Sequence, residues 1–185
     1  MDDATLIQHW LDRLDPHLDE LRAAILDALP RLTGERDDIV AVGLFSDDSA
    51  DTIVAAALTA AHQQANDEEY PHLADYLPWV TDEWDLIASQ PDALSALAEK
   101  IAPLAEDVPA EQFVLYRATK FVWIVDAMAG LVKDGWFEEH YPGANVTFWV
   151  TDSDIDEETV IEWVEDLNPP ERAARFVAFA RSHGI

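Results

Sequence analysis

With 185 residues, 49% of them hydrophobic, the chain is long enough for one well-buried domain. It has no cysteine, which excludes a disulfide framework, a thiolate metal site and a cysteine nucleophile. Its 38 acidic residues against 11 basic ones, a formal net charge of −27, argue against nucleic acid or an anionic membrane as partner, because phosphate binding needs Lys and Arg to displace counterions.

The same charge has two positive readings. It is either a solubilising shell of the kind exaggerated in salt-loving hosts, or a negative field that steers a basic partner. The acidic start Met-Asp-Asp-Ala-Thr lacks a basic stretch followed by an apolar one, so no secretion signal is expected and cytoplasmic localisation is the expectation.

In chain order, Asp3 is placed to cap a helix whose apolar residues, Leu6 through Leu29, keep a helical phase. Pro16 predicts a kink or restart, and Pro30 its end. After a polar turn at 33–38, Ile39–Phe45 is apolar on both faces, as a central strand is. The polar reversal 46–51 suits a wide hairpin, with Thr52–Leu58 pairing back, although its alanines also favour helix. Residues 66–88 read as irregular: acidic at Asp67, Glu68 and Glu69, broken by Pro71 and Pro78, and rich in aromatics. Pro91 opens a further helix.

Ala110–Asp134 is apolar on nearly every face, which predicts a long buried helix ending at Gly135. Arg117, Lys120, Asp126 and Lys133 interrupt it too often for a membrane span. Asn145–Thr151 alternates apolar and polar residues as a half-buried strand does. Asp154 or Asp156 then caps a helix, and Asn168-Pro169-Pro170 separates it from a last one.

Few residues form a chemical constellation. Asp152, Asp154 and Asp156 have the opening spacing of a calcium loop, but Glu157 stands where the loop needs glycine and Trp163 where it needs glutamate. The six histidines form no zinc-binding pair, and neither a nucleophile elbow nor a phosphate-binding glycine loop occurs. No catalytic residue, cofactor or metal is therefore assigned. Asp82, Glu83 and Asp85 beside Trp79 and Trp84 are the one carboxylate group with an aromatic setting, as glycoside hydrolases use. Tyr70, Tyr76, Trp79 and Trp84 in an acidic, proline-broken segment also fit the anchors of a protein interface, or simply one edge of the core.

Several short motifs carry a family resemblance: Ser46-Asp47-Asp48 after the first strand, Glu83-Trp84, Lys133-Asp134-Gly135-Trp136-Phe137, Asp152-Ser153-Asp154, Glu162-Trp163 and Asn168-Pro169. In that order they resemble the bacterial family known as domain of unknown function 4303, from about Ile39 to the end, with residues 1–30 as an added helical segment. The resemblance implies a single α+β domain. Together with the strand pattern, this gives a small antiparallel sheet of about three strands and several helices around the long buried one.

It implies no catalytic residue. It does imply proximity to polymorphic toxins, and so an immunity protein that binds and neutralises a basic toxin. The expected contact residues are Asp47, Asp48, Asp51, Glu68, Glu69, Trp79, Asp82, Glu83 and Trp84. The alternatives are a small hydrolase working through Asp82, Glu83 or Asp85, and a salt-adapted domain without a dedicated partner. The oligomeric state is not legible from the sequence.

Overall fold

A computed structural model describes residues 2–88, 92–151 and 155–183, with only the backbone of Leu77, Asp82 and His183. Helix α1 (Asp3–Leu14) is capped by Asp2, one residue before the expected cap, whose carboxylate accepts from the Thr5 N–H at 2.9 Å. The chain restarts through a 3-10 turn at Asp15–His17 into α2 (Leu18–Thr33), as Pro16 predicts. Pro30 does not end α2. Its φ is already helical and the missing N–H costs one bond, so the helix runs on to Gly34, whose N–H donates to Pro30 at 2.9 Å.

Strands β1 (Ile39–Ser46) and β2 (Val54–Thr59) form the expected antiparallel pair. Ala55, Ala56 and Ala57 are strand rather than helix because both sheet faces are covered and only small side chains fit between the layers. Helix α3 (Ala60–Glu69) follows without a loop, Thr59 Oγ1 accepting from the His62 N–H at 3.3 Å. Part of α3 falls in the stretch expected to be irregular. It buries no residue, so it carries no apolar stripe for a sequence reading to find. Residues 70–85 then pass through three 3-10 turns to β3 (Leu86–Ile87), a short unexpected edge strand.

Helices α4 (Ala93–Ile101) and α5 (Pro103–Glu106) lead to α6 (Phe113–Lys133), the long helix. Trp123, Ile124, Ala127 and Met128 on α6 are fully buried, yet Val114 is 66% and Val122 44% exposed, so one stripe of the helix meets solvent. Gly135, at φ +78°, turns the chain into α7 (Trp136–His140). Strand β4 (Asn145–Val150) completes the sheet, and α8 (Glu157–Leu167) and α9 (Pro170–His183) close the fold. Asp156 caps α8 by accepting from the Thr159 N–H at 3.0 Å. Asp152 and Asp154 of the calcium-loop spacing lie outside the described residues. No helix among the described residues is long and apolar enough to cross a membrane.

The fold class is α+β, with four strands among the described residues, in the order β3-β2-β1-β4, rather than three. The sheet is also mixed: β4 runs parallel to β1 in register from Ala41↔Asn145 to Ser46↔Val150. A parallel neighbour needs a long crossover, and the chain between β2 and β4 supplies it. Val42, Leu44, Ala57, Val146 and Phe148 share the main core with α2, α4 and α6. On the other face Ala41, Ala56 and Leu58 pack on Trp84. Gly43 marks a close approach of β1 and β4, since a Cβ there would stand 2.3 Å from the Thr147 carbonyl oxygen.

At Val146 the outer edge of β4 is met by the side chain of Asn168. The Val146 N–H donates to Asn168 Oδ1 at 2.8 Å, while Asn168 Nδ2 donates to the carbonyls of Val146 at 2.6 Å and Val164 at 3.0 Å. Asn168 therefore continues the ladder at Val146, where no further strand lies among the described residues, and anchors the α8–α9 hairpin beside it.

Candidate functional site

The nine residues expected to meet a partner do not form one face. In the β1–β2 hairpin, Phe45 pairs with Val54 at one end and Ile39 with Thr59 at the other. At roughly 3.3 Å per residue this separates Asp47, Asp48 and Asp51, at the loop end, from α3 and Glu83 by about 20 Å.

The loop group is absorbed into the structure. Asp47 accepts from Ser49 Oγ at 2.5 Å, Thr52 Oγ1 at 2.6 Å and the Asp51 N–H at 3.1 Å. Burial pushes its carboxyl up, but these hydrogen bonds outweigh burial and hold it below the usual carboxylate value. Asp48 accepts from Arg117 Nη1 at 2.6 Å. Beneath the loop Lys120, 1% exposed, donates to the carbonyl of Ala50, a buried residue at φ 61°. Desolvation pushes the Lys120 ammonium down, opposed by the charges of Asp51 and Asp47. Lys120, legible in the sequence only as an interruption of an apolar helix, fixes the hairpin loop from α6.

Trp79 and Trp84 are core residues, 3% and 4% exposed, and offer a partner no surface. Trp79 meets Phe176 at 5.5 Å, and Trp84 packs behind β1 and β2. Trp84 covers the sheet's second face, while Trp79 fills a separate apolar cluster with α8 and α9. The reading of these aromatics as a core edge describes the two tryptophans correctly. The Asp82 side chain lies outside the described residues.

Asp51 stays exposed at the loop end, and at the other end Glu68, Glu69 and Glu83 are exposed and lie near one another. His62 on the first turn of α3 bonds the Glu83 carbonyl through Nε2 at 3.1 Å, holding α3 beside the 81–83 turn. Tyr70, 43% exposed, closes the group. Its hydroxyl is raised above the usual value by its hydrogen bond to Glu69, then by the negative charges of Glu69 and Glu83. Asp85, the third carboxylate of the hydrolase alternative, accepts from the Thr59 N–H at 3.0 Å and Oγ1 at 2.8 Å, so both its oxygens serve the β2–α3 junction.

The group has an electrostatic peculiarity. Asp67, Glu68 and Glu69 occupy the last turn of α3, which contains no basic residue. A helix C-terminus carries partial negative charge, so carboxylates there are repelled by the backbone as well as by one another. Acids occupy the favourable first turns of α2, α7 and α8, but Glu165 and Asp166 also fall in the last turn of α8, which likewise contains no basic residue. Asp67 Oδ1 is also buried without a hydrogen-bond partner among the described residues. The sequence shows the acidic run, but its conflict with the helix emerges only once α3 is seen to end there.

The arrangement defines an α+β domain with an acidic, tyrosine-flanked surface at the end of one helix. Among the described residues no three His, Asp or Glu side chains are grouped to hold a metal ion. The sequence profile described as Domain of unknown function (DUF4303) matches residues 19–169, and the chain belongs to that family. The match begins within α2, about twenty residues before the start expected from the motifs, and stops where α9 begins. No curated protein and no solved structure matches the chain.

Proposed function

We propose that the protein is a non-catalytic, cytoplasmic binding protein of the immunity type, which captures and neutralises a basic toxin or effector through the surface at the end of α3. The observation that carries this reading is the conflict in the last turn of α3. Three carboxylates stand against the helix dipole without an internal cation, a local violation of the kind that functional surfaces tolerate. A Lys- or Arg-rich partner resolves it by supplying the missing positive charge. Exposed Tyr70 adds an aromatic contact of the kind found at interface centres. The net charge of −27 supports rapid, salt-sensitive association with such a partner.

The hydrolase alternative loses support because Asp85 is engaged at the β2–α3 junction. The test is capture of partners from host lysate at moderate salt by the native chain and by a Glu68→Lys/Glu69→Lys variant. A basic partner held by the native chain, lost by the variant, and rendered non-toxic when co-expressed with the native chain is the expected result. Equal retention by both proteins removes α3 from the interface, and a captured partner whose toxicity is not blocked refutes the immunity role.

A further inference from the structure

Between the outer edge of β4 and the α8–α9 hairpin lies a cavity of about 240 Å³. Phe148, Trp163 and Phe176 form its buried floor, and the partly exposed Tyr76, Trp149 and Glu157 stand at its mouth, so it opens to solvent. The rings hold one another in place. Tyr76 meets Trp149 edge-on at 5.9 Å and stacks on Phe179 at 5.4 Å, while Phe148 lies 5.3 Å from Trp163. Rings locked this way do not swing inward to fill the space, and their contacts keep the cavity open.

Among the described residues Glu157 is the one charged side chain that lines the cavity. It is not occupied in capping α8, because Asp156 performs that task through the Thr159 N–H. It also forms none of the ion pairs found among the described residues.

We infer that this cavity is a binding site for an organic cation, a quaternary ammonium or guanidinium group, set among Tyr76, Trp149 and Trp163 with Glu157 as its counter-charge. Aromatic faces attract cations through their quadrupole, and the attraction grows as water is excluded, which the apolar floor ensures. An anionic ligand would meet Glu157 and the field of a chain carrying −27, whereas that field concentrates cations. Space is sufficient, since an apolar cavity of about 150 Å³ already admits benzene. None of the lining residues belongs to α3, so the inference stands apart from the toxin-binding reading. The cation belongs either to a free small molecule or to an Arg or Lys side chain of a polypeptide; both present the same chemistry.

The test uses the full chain, titrated at constant ionic strength with choline, with butylguanidinium, and with the pentapeptide Gly-Gly-Arg-Gly-Gly. The uncharged control is 3,3-dimethyl-1-butanol, which has the shape of choline without its charge. Binding is read from tryptophan fluorescence and from the indole N–H resonances of Trp149 and Trp163. A saturable response to choline or butylguanidinium, confined to those two indoles and at least tenfold weaker for the neutral alcohol, is expected. Glu157→Gln, a conservative change at a partly exposed position, should weaken it at least tenfold with unchanged circular dichroism. Tighter binding of the pentapeptide than of butylguanidinium assigns the site to a polypeptide side chain, and the reverse to a free cation. Equal binding of the neutral alcohol, indifference to Glu157→Gln, or no saturable response to any of the cations overturns the inference.

Discussion

Replacing Asn168 with alanine tests the architecture at its most economical point. In the native chain one buried side chain, 5% exposed, satisfies the N–H and C=O of Val146 and bonds the Val164 carbonyl. Asn168→Ala leaves both Val146 groups without their partner at a buried strand edge. Each orphaned buried group costs about 1–3 kcal/mol, and water entering along the edge recovers part of it, so a loss of about 3 kcal/mol is expected. For a domain of this size that lowers the midpoint of thermal unfolding by about 6–12 °C.

The assay is urea and thermal unfolding followed by tryptophan fluorescence. An Asn168→Asp variant supplies the sign. A carboxylate keeps the acceptor for the Val146 N–H but turns its second oxygen toward two carbonyls, and protonation restores a donor. The folded state then binds the proton more tightly than the unfolded state, so this variant's stability, relative to native protein, recovers as pH falls and is lost as pH rises through the folded pKa. A loss below about 1 kcal/mol for Asn168→Ala, or an Asn168→Asp penalty independent of pH, would refute the assignment of Asn168 as the partner of the sheet edge at Val146.

Three further outcomes follow from the same structure. The Lys120 ammonium is held below its ordinary value of 10.5 by burial, so the unfolded chain binds more protons between the two values and this residue makes stability rise with pH across that window. Denaturant midpoints measured from pH 7 to 10 should therefore rise less steeply in Lys120→Met than in the native chain, and identical slopes would contradict the burial of a charged Lys120. Gly43→Ala should cost at least about 2 kcal/mol, because its Cβ must push Thr147 backbone away and part β1 from β4; a neutral effect in chemical denaturation would contradict the close approach. Glu68→Lys/Glu69→Lys should stabilise the free protein by roughly 0.5 kcal/mol per site at low salt, through the α3 dipole, while weakening partner capture. Equal or lower stability of that variant in low-salt unfolding would remove the electrostatic conflict on which the proposed function rests.

Local periodicity determined much of this protein. The restart at Pro16, the long helix ending before Gly135, the alternation of β4 and the caps around α8 are each written in a few adjacent residues, because helix and strand faces repeat at fixed spacings. The membership of DUF4303 was likewise legible in short motifs, though not its start within α2.

What the sequence could not show is which distant groups meet. Ala55–Ala57 became strand because two layers close on them, and β4 joined β1 in parallel because a long crossover returned it there. Trp79 and Trp84, candidates for an interface by composition, were drawn inward, Trp84 by a sheet face that needed covering and Trp79 by the apolar faces of α8 and α9. Asp48 was drawn to Arg117 and the Ala50 carbonyl to Lys120, each some seventy residues away, while Asp47 and Asp51 bond within their own loop. The carboxylates of α3 kept their surface position because α3 buries nothing and ends where they stand. Burial and charge pairing are properties of neighbours in space, and one residue's sequence context does not contain them.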